Sequence, residues 1–522
     1  MATSLVCGID LGTSNSLCAV SYGSTQELVN IGSSKTAISS TVQYDNSGAI
    51  FVGVEGGAKD SVTIRFAKRI IGTPVNEMGE LAKLSYGSEI VELADHYAGF
   101  LIRRHGKEER IGPVDVEAEI LKEIRHHVNK KLSTVVVGVP AKFNQLQREC
   151  TLAACRKVFE APINVKLLDE PVAAIIHYFE SNRNFEPGLY LVYDFGSGTF
   201  DLTLVKYEKV DTYDIKERDG DDKLGGTDID QALLEYVYMI SRNKYHFDLE
   251  EMINKSEKMK AVLLKRCEEM KMIIAARGQG SIDITEFIPE ENRPVAATDD
   301  DDEVSITIDK PTFNALIQKI VDKTTNMIDK LLEKYNKDNI KAIILVGGTT
   351  SIPLISETLR KKYQININEN ISKTDCVAKG ACIYAGKEGN LEPSSSGVSA
   401  IEVKTTSKCS FGVAVLGGKI CPLIDRGEQL PCKKSKLFTT TEDDQQLIST
   451  AIYEGEGDFQ KNCRLIKTIK FDGIKKARKG VPRIQITYEV DAFYNLTVTC
   501  SEMINETQFK PYISETLTVS TE

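Results

Sequence analysis

Two short stretches of this chain repeat one pattern. "GIDLGTSNSLCAV", Gly8 to Val20, and "YDFGSGTFDLTLV", Tyr193 to Val205, each run from an acid through a turn of glycine, serine and threonine into an apolar strand. Their acids, Asp10 and Asp194, stand 184 positions apart. A single D-x-G-T is no more than a hairpin turn. Its repetition with the same following strand constrains the fold far more, because it calls for two related lobes that face each other across one site.

A loop of small residues between two strands can turn successive backbone N–H groups inward and form a concave nest for phosphate oxygens. Glycine permits the positive φ values involved. Asp10 and Asp194, one before each loop, suit Mg²⁺ or its waters, since that ion prefers oxygen ligands and keeps much of its hydration. Thr13 and Thr199 add hydroxyls for a terminal phosphate. The fingerprint G-x-x-x-x-G-K-[ST] is missing, which excludes a Walker-type loop. Two further glycine clusters, "KLGGTDID" at 223–230 and "LVGGTTSIPLI" at 345–355, are turns that can join the same site.

With 522 residues the chain exceeds what one hydrophobic core serves. From residue 1 to 387 buried strand patterns ("LVCGID", "LSTVVVGVP", "LYLVYDF", "IKAIILVGG") alternate with helical spacing around 117–130, 230–243, 259–276 and 312–335, which predicts an α/β domain. Residues 388–407 are rich in Gly, Ser and Thr and are expected to be a linker. From 408 to 522 short alternating runs broken by turn residues predict an all-β domain. The acidic run Asp299 to Glu303 reads as a solvated loop.

A net charge of −10 argues against a sequence-independent grip on nucleic acid. The apolar runs are too short for a membrane span, and the N-terminus lacks the layout of a secretion signal, so a cytoplasmic protein is expected. The twelve cysteines are scattered, without metal-ligand spacing, and read as reduced, buried side chains.

Together with "RFAKRIIG" at 65–72, "VVVGVPAKFNQLQR" at 135–148, "LLDEPVAA" at 167–174 and "GVPRIQITYEVDA" at 480–492, the paired loops and glycine clusters resemble the heat shock protein 70 family of chaperones, within the actin and sugar-kinase ATPase superfamily. The resemblance implies a two-lobed actin-like ATPase domain followed by a β-sandwich that holds extended apolar peptide. It implies ATP with Mg²⁺, and admits K⁺. By similarity Lys68 balances charge on the γ-phosphoryl group, Glu170 positions the attacking water, and Asp10, Asp194, Thr199 and Asp201 complete the reacting set. Gly12, Thr13, Ser14, Gly196, Ser197 and Gly198 line the phosphates. Gly225, Gly226, Glu268, Lys271, Gly347, Gly348 and Ser351 lie toward the sugar and base.

The family clasps adenine between two arginines, and Met272 and Ser351 stand at those positions here. Each lost stacking contact costs about 0.5–2 kcal/mol, so weaker nucleotide binding is expected. Ser197 replaces a glycine and Asn15 a tyrosine of the family pattern. In the β domain Val413, Leu416, Phe438 and Ile448 match the peptide pocket or belong to the sandwich core, with Glu442, Asp443 and Asp444 placed to attract basic flanks. No helical lid is expected after the β domain, and the linker reads "VSAIEVK" without the family's run of leucines.

The partners implied are unfolded or nascent polypeptide, a J-domain co-chaperone and a nucleotide exchange factor. The main reading is an ATP-dependent chaperone. The alternative is a lidless regulatory or ribosome-associated co-chaperone with little hydrolysis. A sugar kinase on the same core finds no candidate base for a sugar hydroxyl.

Overall fold

In a computed structural model of the chain, residues 5–21, 25–31, 35–54, 61–79, 81, 86–94, 96–181, 186–288, 304–389, 401–503 and 509–516 are described. The acidic run at 299–303 and residues 390–400 of the expected linker lie outside them.

The repeat in the sequence is a repeat in topology. In the first lobe the strand Leu5–Leu11 pairs antiparallel with Asn15–Ser21 on one side and parallel with Leu132–Val139 on the other. In the second lobe Gly188–Phe195 pairs antiparallel with Phe200–Lys209 and parallel with Ile340–Val346. Gln26–Leu28 and Asn164–Asp169 complete the first row, Thr212–Asp221 and Ile367–Asn368 the second, so five strands of each sheet follow the same order of use; Ala37–Ser39 pairs beside the first row, and two more strands extend the second. The central strands are near-continuous runs of Val, Ile and Leu because both their faces are covered, as parallel strands require.

Two helices fill the space between the sheets. Glu170–Ser181 and Cys376–Gly389 pack on each other, and their buried faces share one cluster with Val6 and Val136 of the first sheet and Val192 and Ile344 of the second. The small residues Ala173, Ala174, Ala378 and Ala381 in that cluster let the helices approach closely. This packing fixes the lobes so that their two loops open toward each other. The expected helices are found as Pro113–Val128, Gly226–Tyr245, Glu257–Arg277 and Lys310–Lys334.

The chain from 408 onward forms two four-stranded sheets. One is built on Phe411–Val415, Lys419–Ile424, Leu447–Glu454 and Arg464–Asp472, the other on Cys432–Phe438, Ile484–Val490, Leu496–Met503 and Phe509–Thr516. Phe411, Ile424, Ile452, Phe471, Ile486 and Val498 fill the space between them.

Within the segment expected as a linker, Glu402–Thr406 is a strand. It pairs parallel with Thr212–Asp214 of the second lobe and antiparallel with Gln429–Leu430 of the β domain. Its Gly/Ser/Thr-rich surroundings have linker composition, but its backbone finds partners in a sheet supplied by the other domain. Phe493 of the β domain also enters the inter-lobe cluster, edge-on to Tyr384 at 5.1 Å.

Candidate functional site

The two loops touch. A Cβ placed on Gly198 of the second loop would lie 2.5 Å from Thr13 Oγ1 of the first, so only glycine fits between the lobes here. Gly347, at φ +83, approaches the second loop as closely: a side chain there would meet Phe195 O at 2.3 Å and Asp194 Oδ1 at 2.8 Å. The loops are held from behind. Gly12 O accepts from Ser40 Oγ at 2.7 Å, Gly196 O accepts from Gly226 N at 3.0 Å and Thr349 Oγ1 at 2.8 Å, and Ser197 O accepts from Thr227 N at 2.8 Å.

Lys68 lies in a short 3₁₀ turn, Ala67–Arg69, and is buried. Its ammonium donates to Leu11 O at 2.7 Å and to Glu170 Oε1 at 2.6 Å, which ties the first loop to the start of the helix Glu170–Ser181. Burial opposes its charge, but Glu170 and Asp10 outweigh that and hold the ammonium above its ordinary pKa. The residue before this turn, Phe66, has left-handed φ 55 and ψ 28, a strained conformation for a bulky side chain.

Carboxylates crowd around this one cation. Asp194 sits directly opposite Asp201 across adjacent strands, an unfavourable pairing of like charges. Burial, then Glu170, Asp201 and Asp10, push the Asp194 carboxyl well above the usual range. Burial and Glu170 raise Asp10 to about 7 against the pull of Lys68, and burial with Glu170 and Asp169 raises Asp201 to about 7. Ser14 Oγ is buried without a hydrogen-bond partner among the described residues. A site with an excess of buried carboxylate and an orphan hydroxyl between two glycine loops fits a magnesium-bound phosphate. Among the described residues no group of three or more His, Cys, Asp or Glu could hold a metal ion by itself.

This electrostatic crowding has a testable consequence for the nucleotide-free, metal-free protein. An aspartate of unfolded pKa about 3.9 whose folded value is about 7 keeps a proton that the unfolded chain has lost, so its stabilisation fades as pH rises through 7. Asp10→Asn removes that loss. Its melting temperature is expected to exceed the parent's by several degrees at pH 8 and by little at pH 5.

Of the residues expected toward the sugar and base, Lys271 is buried and bound to Asp230 at 2.8 Å and to Gly226 O at 3.1 Å. Gly225 and Gly226 are buried behind the second loop, whereas Gly348 faces open space. Glu268 lines a small polar cavity with Thr13, Ser14 and Arg65. Met272 is 63% exposed and Ser351 is exposed.

Several groups carry no signal in the sequence taken alone. Arg69 bridges the lobes, reaching Thr227 Oγ1 and Asp228 Oδ2, the latter at 3.3 Å. Glu117 is buried near Lys68 with neither carboxylate oxygen hydrogen-bonded among the described residues, and burial, with Lys68 opposing and Glu170 adding, raises it to about 7. Arg69 directly follows Lys68 in "FAKR", the one hint available; Glu117 looks like any helix-surface acid.

The β-domain residues separate into two groups. Val413 is 1% exposed inside the sandwich, and Phe438 and Ile448 are half-buried against its core. Leu416, 78% exposed, projects from the turn between Phe411–Val415 and Lys419–Ile424. Asp443 does not face solvent unengaged: its Oδ1 accepts from Lys479 N at 2.8 Å, and the basic loop of Lys475, Lys476, Arg478 and Lys479 runs alongside the acidic one.

Comparison with known proteins agrees with this geometry. The family model described as Hsp70 protein matches residues 6–522. The chaperone protein DnaK of Mycoplasmoides gallisepticum is 29% identical over 509 residues, covering 96% of this chain and 78% of that relative. Among the described residues no helix is long and apolar enough to cross a membrane. With two like-ordered lobes, paired loops meeting at Thr13 and Gly198, and a match over nearly its whole length, the chain belongs to the Hsp70 protein family.

Proposed function

We propose that the chain is an ATP-dependent chaperone that binds and hydrolyses ATP between its lobes and briefly holds extended apolar polypeptide on its β domain. The observation that carries this reading is the contact of the two loops, with Asp10 and Asp194 beside a single buried Lys68–Glu170 pair. The family and the DnaK relative support the chaperone role.

In this reading Asp10 and Asp194 would hold Mg²⁺, which when bound neutralises phosphate oxygens and the two carboxylates together. The loops at 12–14 and 196–199 cradle the phosphates with N–H and hydroxyl groups. Lys68, already charged and oriented by Leu11 O and Glu170, offers its remaining N–H to the γ-phosphoryl oxygens as negative charge moves there. Glu170, pinned through Oε1, orients the attacking water with its other oxygen. Met272 and Ser351 leave adenine without cationic stacking, so affinity is lower than in relatives that carry both arginines. Unfolded or nascent chains, a J-domain protein and an exchange factor are the partners this role calls for, in the cytoplasm.

The test is single-turnover hydrolysis with and without an apolar peptide. Stimulation by peptide supports the reading; an unchanged, negligible rate in both conditions rejects it.

Leu416 is the β-domain residue best placed to meet a client. Covering a leucine side chain is worth about 1.5–3 kcal/mol. Leu416→Asp is therefore expected to weaken binding of a fluorescent apolar peptide at least about tenfold. Its melting temperature should stay unchanged, because the parent side chain is already in water. Val413→Asp, in contrast, should unfold the sandwich.

A further inference from the structure

The junction between the lobes and the β domain holds a buried charge imbalance. Asp169, fully buried, pairs with Arg148 Nη2 at 2.6 Å and with Arg218 Nε at 2.9 Å. Lys408 stands with them, donating to Ala141 O, and makes no ion pair among the described residues. All three cations lie over the ring of Tyr494, at 5.7, 5.2 and 4.7 Å from its centroid. Three cations thus share one ion-paired carboxylate. Asp201, Glu454 and Asp491 act only at longer range, and burial raises the pKa of each, which reduces the negative charge they bring.

Beside this cluster lies a cavity of about 290 Å³. It is lined by Arg218, Lys408, Arg426, Lys142, Lys216 and Tyr494, with Glu217 the one acid in its wall. Three of these charges are already matched: Lys142 by Asp219 at 3.0 Å, Lys216 by Asp214, and Glu217 by Lys334 at 3.1 Å. The others are not. Arg426 is exposed and makes no ion pair among the described residues. Arg218 is buried to 4%, and while its Nη1 donates to Thr405 Oγ1 and Tyr494 OH, its Nη2 is buried with no hydrogen-bond partner among the described residues. An unsatisfied guanidinium nitrogen in a low-dielectric wall is costly and marks a missing acceptor.

We propose that this junction binds a phosphate dianion, with Arg218, Arg426 and Lys408 as its ligands, and that the bound anion fastens the β domain to the ATPase lobes. A dianion matches the excess of two positive charges. A guanidinium presents the planar fork that phosphate accepts bidentately. The cavity stands at the lower edge of the roughly 300–1,000 Å³ that encloses drug-sized ligands, room enough for a phosphate group. Its walls come from Lys142 and Ile215–Arg218 on one side and Thr405–Lys408, Arg426 and Tyr494 on the other, so occupancy favours the docked arrangement by mass action. Lys408 fits the same account: burial, then repulsion from Arg218, lowers its pKa to about 7, and a neighbouring anion would restore its proton.

The experiment titrates inorganic phosphate into the full chain at constant ionic strength set with chloride, with a non-hydrolysable ATP analogue present to fill the inter-lobe cleft. One saturable site is expected, weakened at least tenfold in Arg426→Ala, whose exposed side chain is not needed for folding, and in Arg218→Gln. Amide exchange of residues 402–406 should slow in phosphate and not in chloride. Phosphoserine serves as a second probe: tighter binding than inorganic phosphate supports the site and assigns it to phosphorylated groups, and weaker binding supports it and assigns it to the free ion. Binding of neither, equal affinity in both variants, or complete loss when the analogue is added overturns the proposal. The outcome does not depend on whether the cleft hydrolyses ATP.

Discussion

Lys68→Ala is expected to lower single-turnover ATP hydrolysis by about 10²–10³ while the lobes stay folded, the usual cost of removing one preorganised donor from a developing anion. Among the described residues Lys68 is the only cation bonded to the carboxylate cluster of Glu170, Asp10 and Asp194, and its hydrogen bonds to Leu11 O and Glu170 are already in place. Without it, Asp10 loses the cation that opposes burial and Glu170, and its carboxyl is pushed further upward. Lys68→Arg should not restore the rate, because a planar guanidinium cannot occupy the point position between Leu11 O and Glu170 Oε1. Rates within twofold of the parent for Lys68→Ala would show that this pair plays no part in the chemistry.

The second large effect concerns the junction. Asp169→Asn removes the one carboxylate ion-paired to Arg148 and Arg218 among the described residues, itself fully buried, and a broken buried pair costs about 3–5 kcal/mol. The lobes and the β domain are expected to unfold in two separate calorimetric transitions, with the β domain melting first. Amides of 402–406 should exchange far faster, because that strand is paired to both domains. The parent should show the same loosening in acid. Against burial, Arg148, Arg218 and Lys408 hold the Asp169 carboxyl below its ordinary value, so its stabilisation is present above about pH 4 and fades as pH falls through the lower folded value. An Asp169→Asn chain that melts as the parent does would mean that the cations are satisfied elsewhere.

What could be read from the sequence follows from how local each feature is. The loops at 10–15 and 194–199 are legible because all their determinants, the acid, the small residues and the strand after them, lie within a few positions, and because they occur twice. The strands Leu132–Val139 and Ile340–Val346 are legible because burial on both faces leaves unbroken apolar runs. The junction is not. Arg148, Asp169, Arg218, Lys408 and Tyr494 come from five separate segments, and each alone is an ordinary polar or aromatic residue. Glu402–Thr406 has linker composition in sequence because its partners belong to strands far away in the chain. Val413 and Leu416 lie three positions apart in one apolar run, yet one is core and the other solvent-exposed, since the strand ends between them.

The central claim is that two related loops close on one magnesium-bound triphosphate, with an acid from each. Crystals of the full chain grown with a non-hydrolysable ATP analogue and Mn²⁺ test it directly through the anomalous signal of the metal. The peak is expected between Asp10 and Asp194, with the terminal phosphate in hydrogen-bond reach of Lys68 Nζ. A nucleotide seated away from either loop, or a metal held with no contribution from one of the two aspartates or its waters, would contradict the account.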